Sequence, residues 1–556
     1  MRKRIESVQK RDFIFALLFL AGTGMIFYKC AFGYSFWDEP FYLTIPQRLF
    51  QGDSLFTQEW HLSQLASVLI YPFFALYRLF FTESEGILLH FRYLYTGLQA
   101  LTALFIYVRL RKHGLFAAGA SLMYLLFAPF GIMALSYNSI GVLCTTVSGV
   151  LLATNLNKQP ATFFLIGLFY AGAVLCCPYL AAGYAIYAVV CIIRKDSKAL
   201  LWVTLGCSFL AIIFIGFLLS RATLPDILRA LPAILNDPEH PHTGFLKNLE
   251  SYATAIYRHS RFASPIIKAG AVLSGLILVD RHSPARCMAY GIAAIVLSIL
   301  FTLPFVFSAV YLNFLLACPF FLGWFAFLLA PRENLNWFLS TWLLSLLYGL
   351  CVNWSSNQQF YVISMACMAG SIGSWIMVSN WLNLYSGASA GRWLKSCTLV
   401  IMALFIVAQA HIRFTTLFWE YGDMSQMSYE ITVGPAKGLR TSAANKEFYE
   451  TLYQDTQSVR DWADGPVLYY TRNTFLYLAD SKDNASFSAW TSGINESSAK
   501  KLLEYYRLNP SKIPAIIYCL KADSFAAEHV SQFAKTYHYN LQETALGYVL
   551  VSSNLT

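Results

Sequence analysis

Long apolar runs separated by short charged breaks fill the first 411 positions of the chain. The run from Phe13 to Phe32 is long enough to cross a bilayer, which takes about 20 residues. Twelve further runs predict spans at 88–109, 115–135, 139–156, 160–177, 179–193, 199–219, 264–280, 286–303, 307–330, 336–353, 359–380 and 394–411. The stretch 115–157 contains no Asp, Glu, Lys or Arg and is too long for one span. The polar break Ser136-Tyr137-Asn138 divides it into a hairpin. Residues 61–81 mix apolar and polar positions, and predict an amphipathic or re-entrant helix inside a first large loop, 33–87. A second large loop runs over 220–263.

The pattern changes after residue 411. GPVLYY (465–470), IPAIIYCL (513–520) and GYVLVSS (547–553) read as strands, while 497–508 and 523–537 read as amphipathic helices. The expected fold class is a polytopic α-helical membrane domain of about thirteen spans over 1–411, followed by an α/β domain over 412–556.

Composition supports that division. Hydrophobic residues make up 57% of the 556-residue chain and charged residues 13%, against about 45–50% and about 25% in soluble domains. A soluble enzyme, a secreted disulfide scaffold and a disordered chain are excluded as whole-chain readings. The net charge of +10 is not a nucleic-acid signal. Residues 1–411 carry 27 Lys+Arg against 15 Asp+Glu, and residues 412–556 carry 13 against 15. The basic excess lies between apolar runs, where it sets topology. With 61–81 held outside the count of spans, Arg109, Arg111, Lys112, Lys158, Arg194, Lys195, Lys198, Arg281, Arg286, Arg332, Arg392 and Lys395 all fall on the side of the basic N-terminus. The expected topology is then a multi-pass cell-membrane protein, its N-terminus cytoplasmic and its C-terminal domain extracytoplasmic. Of the 12 cysteines only Cys519 lies in the tail, and no Cys/His spacing resembles a zinc site.

The strongest local signal is Trp37-Asp38-Glu39-Pro40-Phe41-Tyr42, just after the first span. Two adjacent carboxylates at a membrane surface offer a general base or a metal ligand. The plainer reading is a solvated loop, since exposed acids are common.

These residues resemble the opening pattern of the GT-C glycosyltransferases: Asp-Glu-x-x-Tyr after the first span, then Gly52-Asp53, then an apolar interfacial stretch. The chain is most similar to the branch holding aminoarabinose transferases and protein O-mannosyltransferases. Arg92 at the start of the next span, and Arg109-Leu110-Arg111-Lys112 at its end, match that branch. The motif covers only residues 37–112; the rest is similar in layout. The resemblance implies transfer of a sugar from a polyprenyl-phosphate carrier to a lipid, glycan or protein acceptor, with inversion. It implies Asp38 as general base, and Glu39 and Tyr42 shaping the site or touching the acceptor. Family members commonly carry another acidic residue in the second outer break, where this chain has Ser136-Tyr137-Asn138. A metal requirement is therefore left open, with a divalent cation as the candidate cofactor. Asn138 is expected to bind sugar or to cap the following helix.

A phosphate leaving group calls for cations, and Lys29, Arg92 and Lys268 are candidates near span ends. Arg92 suits phosphate best, since a guanidinium forks onto it; Lys29 reads as snorkelling. In the second large loop, Asp237-Pro238-Glu239-His240-Pro241-His242 offers His240 and His242 for substrate contact, proton transfer or metal binding, against a solvated polar loop. Arg221, Arg229, Arg258 and Arg261 nearby suit an anionic lipid or acceptor. Gly434-Pro435-Ala436-Lys437-Gly438 lacks the spacing of a nucleotide phosphate loop. Competing readings are a transporter or flippase of lipid-linked sugars, a ligase of lipid-linked glycans, and a non-catalytic envelope assembly protein.

Overall fold

The computed structural model describes residues 2–236, 245–280, 283–308, 312–356, 360–417, 420, 422–490, 496–522 and 539–552. Its helical part runs through α1 (Arg2–Lys29), α2 (Asp38–Gln51), α3 (Ser67–Phe80), α4 (Ile87–Leu110), α5 (Leu115–Leu126), α6 (Tyr137–Thr154), α7 (Pro160–Cys176), α8 (Ala181–Ile193) and α9 (Ser197–Leu219). It continues through α10 (Leu224–Leu235), α11 (Phe245–Asp280), α12 (Pro284–Ser308), α13 (Ala317–Leu329), α14 (Pro331–Trp337), α15 (Leu343–Ser356), α16 (Phe360–Ala366), α17 (Met368–Asn383) and α18 (Ser389–Thr415). Among the described residues, 6 segments are long and apolar enough to cross a membrane by length and composition: Lys10–Lys29, Tyr137–Thr154, Ser197–Leu219, Pro284–Leu303, Pro331–Ser356 and Ser389–Thr415. The chain is a polytopic helical membrane protein with a small C-terminal sheet region.

Packing explains the order. α17 is apolar on every side and almost wholly buried, as a helix at the centre of a bundle must be. Trp375 and Trp381 fill its surroundings. α7 and α9 meet at Gly167 and Gly206, where a side chain would run into the backbones of Val203 and Phe164; small residues let the two helices close up. α3 buries Ser67, Ile70, Phe74 and Tyr77 along one stripe and leaves Leu76, Leu79 and Phe80 exposed. Its 14 residues fall short of a span, as the mixed pattern of 61–81 foretells.

Two segments depart from the expected spans. The run 115–135 is helical only to Leu126. Pro129 cannot extend the helix, and Gln99 Nε2 takes the released carbonyls of Tyr124 (3.1 Å) and Phe127. Residues 127–130 and 132–136 thus form buried irregular chain, apart from one short 3₁₀ turn at Pro129–Gly131. The expected loop 220–263 is partly helix: α10 lies within it, and α11 starts at Phe245, well before the apolar run. Charge lowers the hydropathy there without lowering helix propensity.

The tail folds on α19 (Ala443–Val459), α20 (Phe475–Ala479) and α21 (Glu496–Leu508). β1 (Tyr429–Glu430) and β2 (Arg440–Thr441) form an antiparallel pair. β3 (Val467–Tyr469), β4 (Ile516–Leu520), β5 (Tyr539–Glu543) and β6 (Gly547–Ser552) form a sheet in the order β3-β4-β6-β5. β3 runs parallel to β4, with Val467 opposite Ile516; the other neighbours are antiparallel. The predicted strands and the helix over 497–508 are present; the segment 523–537 lies outside the described residues.

The tail is seated on the helices by main-chain groups. Gly434 and Pro435 offer carbonyls to the N–H groups of Gly86 (3.0 Å) and Leu88 (3.2 Å). The Gly-Pro-Ala-Lys-Gly turn therefore caps the start of α4, whose first N–H groups have no partner within the helix. Positive φ at Gly434 (68°) and Gly438 (86°) is what lets the turn close.

Candidate functional site

The acid pair opens α2, where carboxylates suit the positive end of the helix dipole. Adjacent helical positions point about 100° apart, so the two acids part company. Glu39 turns inward and is 1% exposed. Its Oε2 accepts from Arg92 Nε at 3.0 Å and from Arg92 Nη2, and its Oε1 accepts from Met133 N at 3.3 Å. Arg92 also donates to the carbonyls of Cys30 (2.8 Å), Phe32 (3.1 Å) and Gly33 (2.9 Å). A guanidinium has five N–H donors, and all are engaged. The phosphate contact expected of Arg92 thus gives way to a joint: Arg92 and Glu39 lock the chain leaving α1 against α4 and the irregular 127–136 segment. Glu39 belongs to that joint and not to an open site.

Asp38 is only partly buried. One turn on, Tyr42 is buried and meets Tyr137 edge-to-face at 5.7 Å. Burial, and then the neighbouring Tyr137 and Asp38, push the Tyr42 phenol well above its usual range, so it stays a protonated hydroxyl. Tyr137 is the first residue of α6, and Asn138 beside it is buried. Asn138 is not the cap: Ser136 accepts from Ser139 N (3.1 Å) while Ser139 Oγ accepts from Ser136 N (2.8 Å), a reciprocal capping box. The Tyr42–Tyr137 contact holds the Ser136-Tyr137-Asn138 break against α2.

Phe41 carries the site towards the tail. Its ring stands 4.7 Å from His61 and 5.2 Å from Trp490. His61 Nδ1 accepts from Ser63 N at 3.1 Å, which leaves Nε2 as the protonated nitrogen of the neutral ring. Thr474 Oγ1 donates to Trp37 O at 2.5 Å, and Gln47 Nε2 donates to the carbonyls of Tyr477 (2.8 Å) and Asp480 (2.7 Å). The tail therefore covers α2 along its length. His61 and Trp490 went unnoticed in the sequence, since only tertiary packing brings them to Phe41.

The far end of α2 is fastened by charge. Gly52, at φ 108°, ends the helix in a left-handed turn, so that Asp53 N returns to Arg48 O (2.9 Å). Arg48 pairs with Asp53 (2.8 Å) and Glu59 (2.8 Å) and also donates to Gln58 O (2.5 Å) and Tyr505 (3.2 Å). Lys512 of the tail reaches Asp53 at 2.6 Å. Gly52-Asp53 is thus part of a strut between the first loop and the tail.

The remaining candidates lie elsewhere. Lys29 does not snorkel: it is buried, and its Nζ donates to Arg413 O and to Thr416 O (2.5 Å) at the end of α18. Lys268 is exposed on α11, which packs on α12 and α13. His240 and His242 lie outside the described residues. Arg221 donates to the carbonyls of Leu49 and Asp53 (3.1 Å) and stands 4.7 Å over the Phe217 ring. With Arg229, Asp226, Gln58 and Asn509 it lines a cleft of about 150 Å³ between the first loop, α10 and the tail. Among the described residues, no three His, Cys, Asp or Glu side chains converge as metal ligands do. No protein-family model matches the chain, and no curated protein matches it.

Proposed function

We propose that the protein is a GT-C-type glycosyltransferase that moves a sugar from a polyprenyl-phosphate donor to an acceptor hydroxyl or phosphate with inversion. The observation that carries this reading is the division of labour in the acid pair: Glu39 is sealed by Arg92, while Asp38 is partly exposed one turn before Tyr42, which packs on Tyr137. In the proposed reaction the Asp38 carboxylate takes the acceptor's proton as its oxygen bonds to the anomeric carbon. The bond from that carbon to the phosphate oxygen breaks, and the carrier phosphate leaves with the electron pair. A positioned base contributes about 10²–10⁴ in rate. In this reading Tyr42 and Asn138 orient sugar hydroxyls, and Trp490, half-buried and backed by Phe41, supplies the aromatic face for the sugar. The proposed topology has thirteen spans, with the tail and the Asp38 site on the extracytoplasmic side.

The test uses purified protein in detergent with a panel of polyprenyl-phosphate sugars, with and without chelator. Release of free polyprenyl phosphate from one donor supports the reading and identifies that donor. No release from any donor, with acceptor lipid, glycan and peptide each supplied, contradicts it.

A further inference from the structure

Arg413 sits in the last turn of α18 and is 1% exposed. Its Nε, Nη1 and Nη2 all lack a hydrogen-bond partner among the described residues. Arg92 shows how this protein satisfies a buried guanidinium, with every donor engaged. Lys29, buried beside Arg413, spends its ammonium on the α18 carbonyls. Around Arg413 lie the Tyr95 phenol, the Cys30 thiol, the Arg92 guanidinium and the Glu39 carboxylate, with the Lys29 ammonium on its own carbonyl. Among the described residues these three cations thus face one carboxylate, and that carboxylate already belongs to Arg92. A guanidinium with no counter-charge in a dry setting is a strongly unfavourable group. A water bridging to Gln409 Oε1, another buried atom without a partner one helical turn away, would satisfy at most one or two N–H groups and leave the charge uncancelled.

The level in the fold indicates which anion belongs there. Tyr28 (67% exposed), Phe27 and Tyr93 ring the same ends of α1 and α4, with Phe27 and Tyr93 5.8 Å apart. Exposed aromatics of this kind mark headgroup depth. At that depth the abundant anion is a lipid phosphate, and a guanidinium fork matches phosphate geometry.

We infer that Arg413 is the anchor of a lipid-phosphate site at the junction of α1, α4 and α18. The phosphate oxygens accept from its three nitrogens, and its charge offsets the cation excess of Lys29, Arg92 and Arg413. The site does not depend on the transferase reading, since a flippase or an assembly protein holds lipid phosphate by the same chemistry.

The experiment is thermal unfolding of the delipidated full-length protein in detergent. It is repeated with polyprenyl phosphate, with phosphatidylglycerol, with inorganic phosphate and with no addition, for the native protein, Arg413→Met and Arg413→Lys. The expected result is a phosphate-dependent rise in Tm for the native protein, a smaller rise for Arg413→Lys and none for Arg413→Met. Titration should show phosphate binding weakened at least about tenfold in Arg413→Met. Without phosphate, Arg413→Met should be as stable as the native protein or more so, because a buried uncompensated charge has gone. A rise with polyprenyl phosphate alone identifies a carrier-lipid site; a rise with both lipids identifies a general headgroup site; a rise with all three shows that the phosphate group alone is read. An equal response in native protein and Arg413→Met overturns the site, as does no response in the native protein. Loss of folding or a lower Tm in phosphate-free Arg413→Met also overturns it, by making the guanidinium a structural group. A phosphate response without sugar release removes the transferase reading and keeps the site.

Discussion

Arg48 and Arg413 are both about 1% exposed, and they could hardly differ more in company. Arg48 lies between Asp53 and Glu59, with Gln58 O and Tyr505 taking two more of its donors and Lys512 closing the network from the tail. Arg413 has no partner on any nitrogen among the described residues. Arg92, held by Glu39 and three carbonyls, belongs with Arg48. A buried charge whose valences are filled by its own chain holds the structure together. A buried charge its own chain leaves uncompensated is what the proposed lipid-phosphate site answers. The contrast separates the strut that carries the tail from the junction of α1, α4 and α18.

Substitutions can break or sharpen that contrast. Arg48→Met strands Glu59 and leaves Asp53 to Lys512 alone, and should cost about 3–5 kcal/mol, read as a large drop in Tm with early proteolysis of the tail. A native-like Tm would show that the strut carries no load. Glu39→Gln keeps the shape but weakens the Arg92 pairing, and should cost about 1.5–3 kcal/mol in denaturant unfolding. Arg413→Met should move the other way, towards higher stability in the absence of phosphate. Lys437→Ala removes the exposed pair with Glu85 (2.7 Å) and should leave Tm unchanged, because solvent screens such pairs.

Part of this was legible in sequence. β3, β4 and β6 are compact apolar runs bounded by turn residues, and a run of that kind reports a strand directly. The two-residue β1 and β2 carry no such signal, because their pairing is set by the tail docking near Phe32 and Gly33. The Asp38-Glu39 pair stood out as a motif, but its division of labour did not. Which acid faces Arg92 depends on where α2 begins and on Met133 N arriving from the irregular segment after α5. That segment looked like the end of a span, because its buried residues are as apolar as a helix; Pro129 and Gln99 decide otherwise. Arg413 carries no signal in the sequence, since a basic residue at the end of an apolar run suits the helix dipole and is ordinary. Its lack of partners exists only in three dimensions.

The proposed chemistry rests on Asp38 and not on Glu39, and one paired measurement tests it. Asp38→Asn and Glu39→Gln are each assayed for release of polyprenyl phosphate from the active donor, with Tm recorded on the same samples. The account predicts that Asp38→Asn loses about 10²–10⁴ in turnover at an unchanged Tm, while Glu39→Gln loses stability and keeps turnover where it remains folded. Native-level turnover in Asp38→Asn would contradict it.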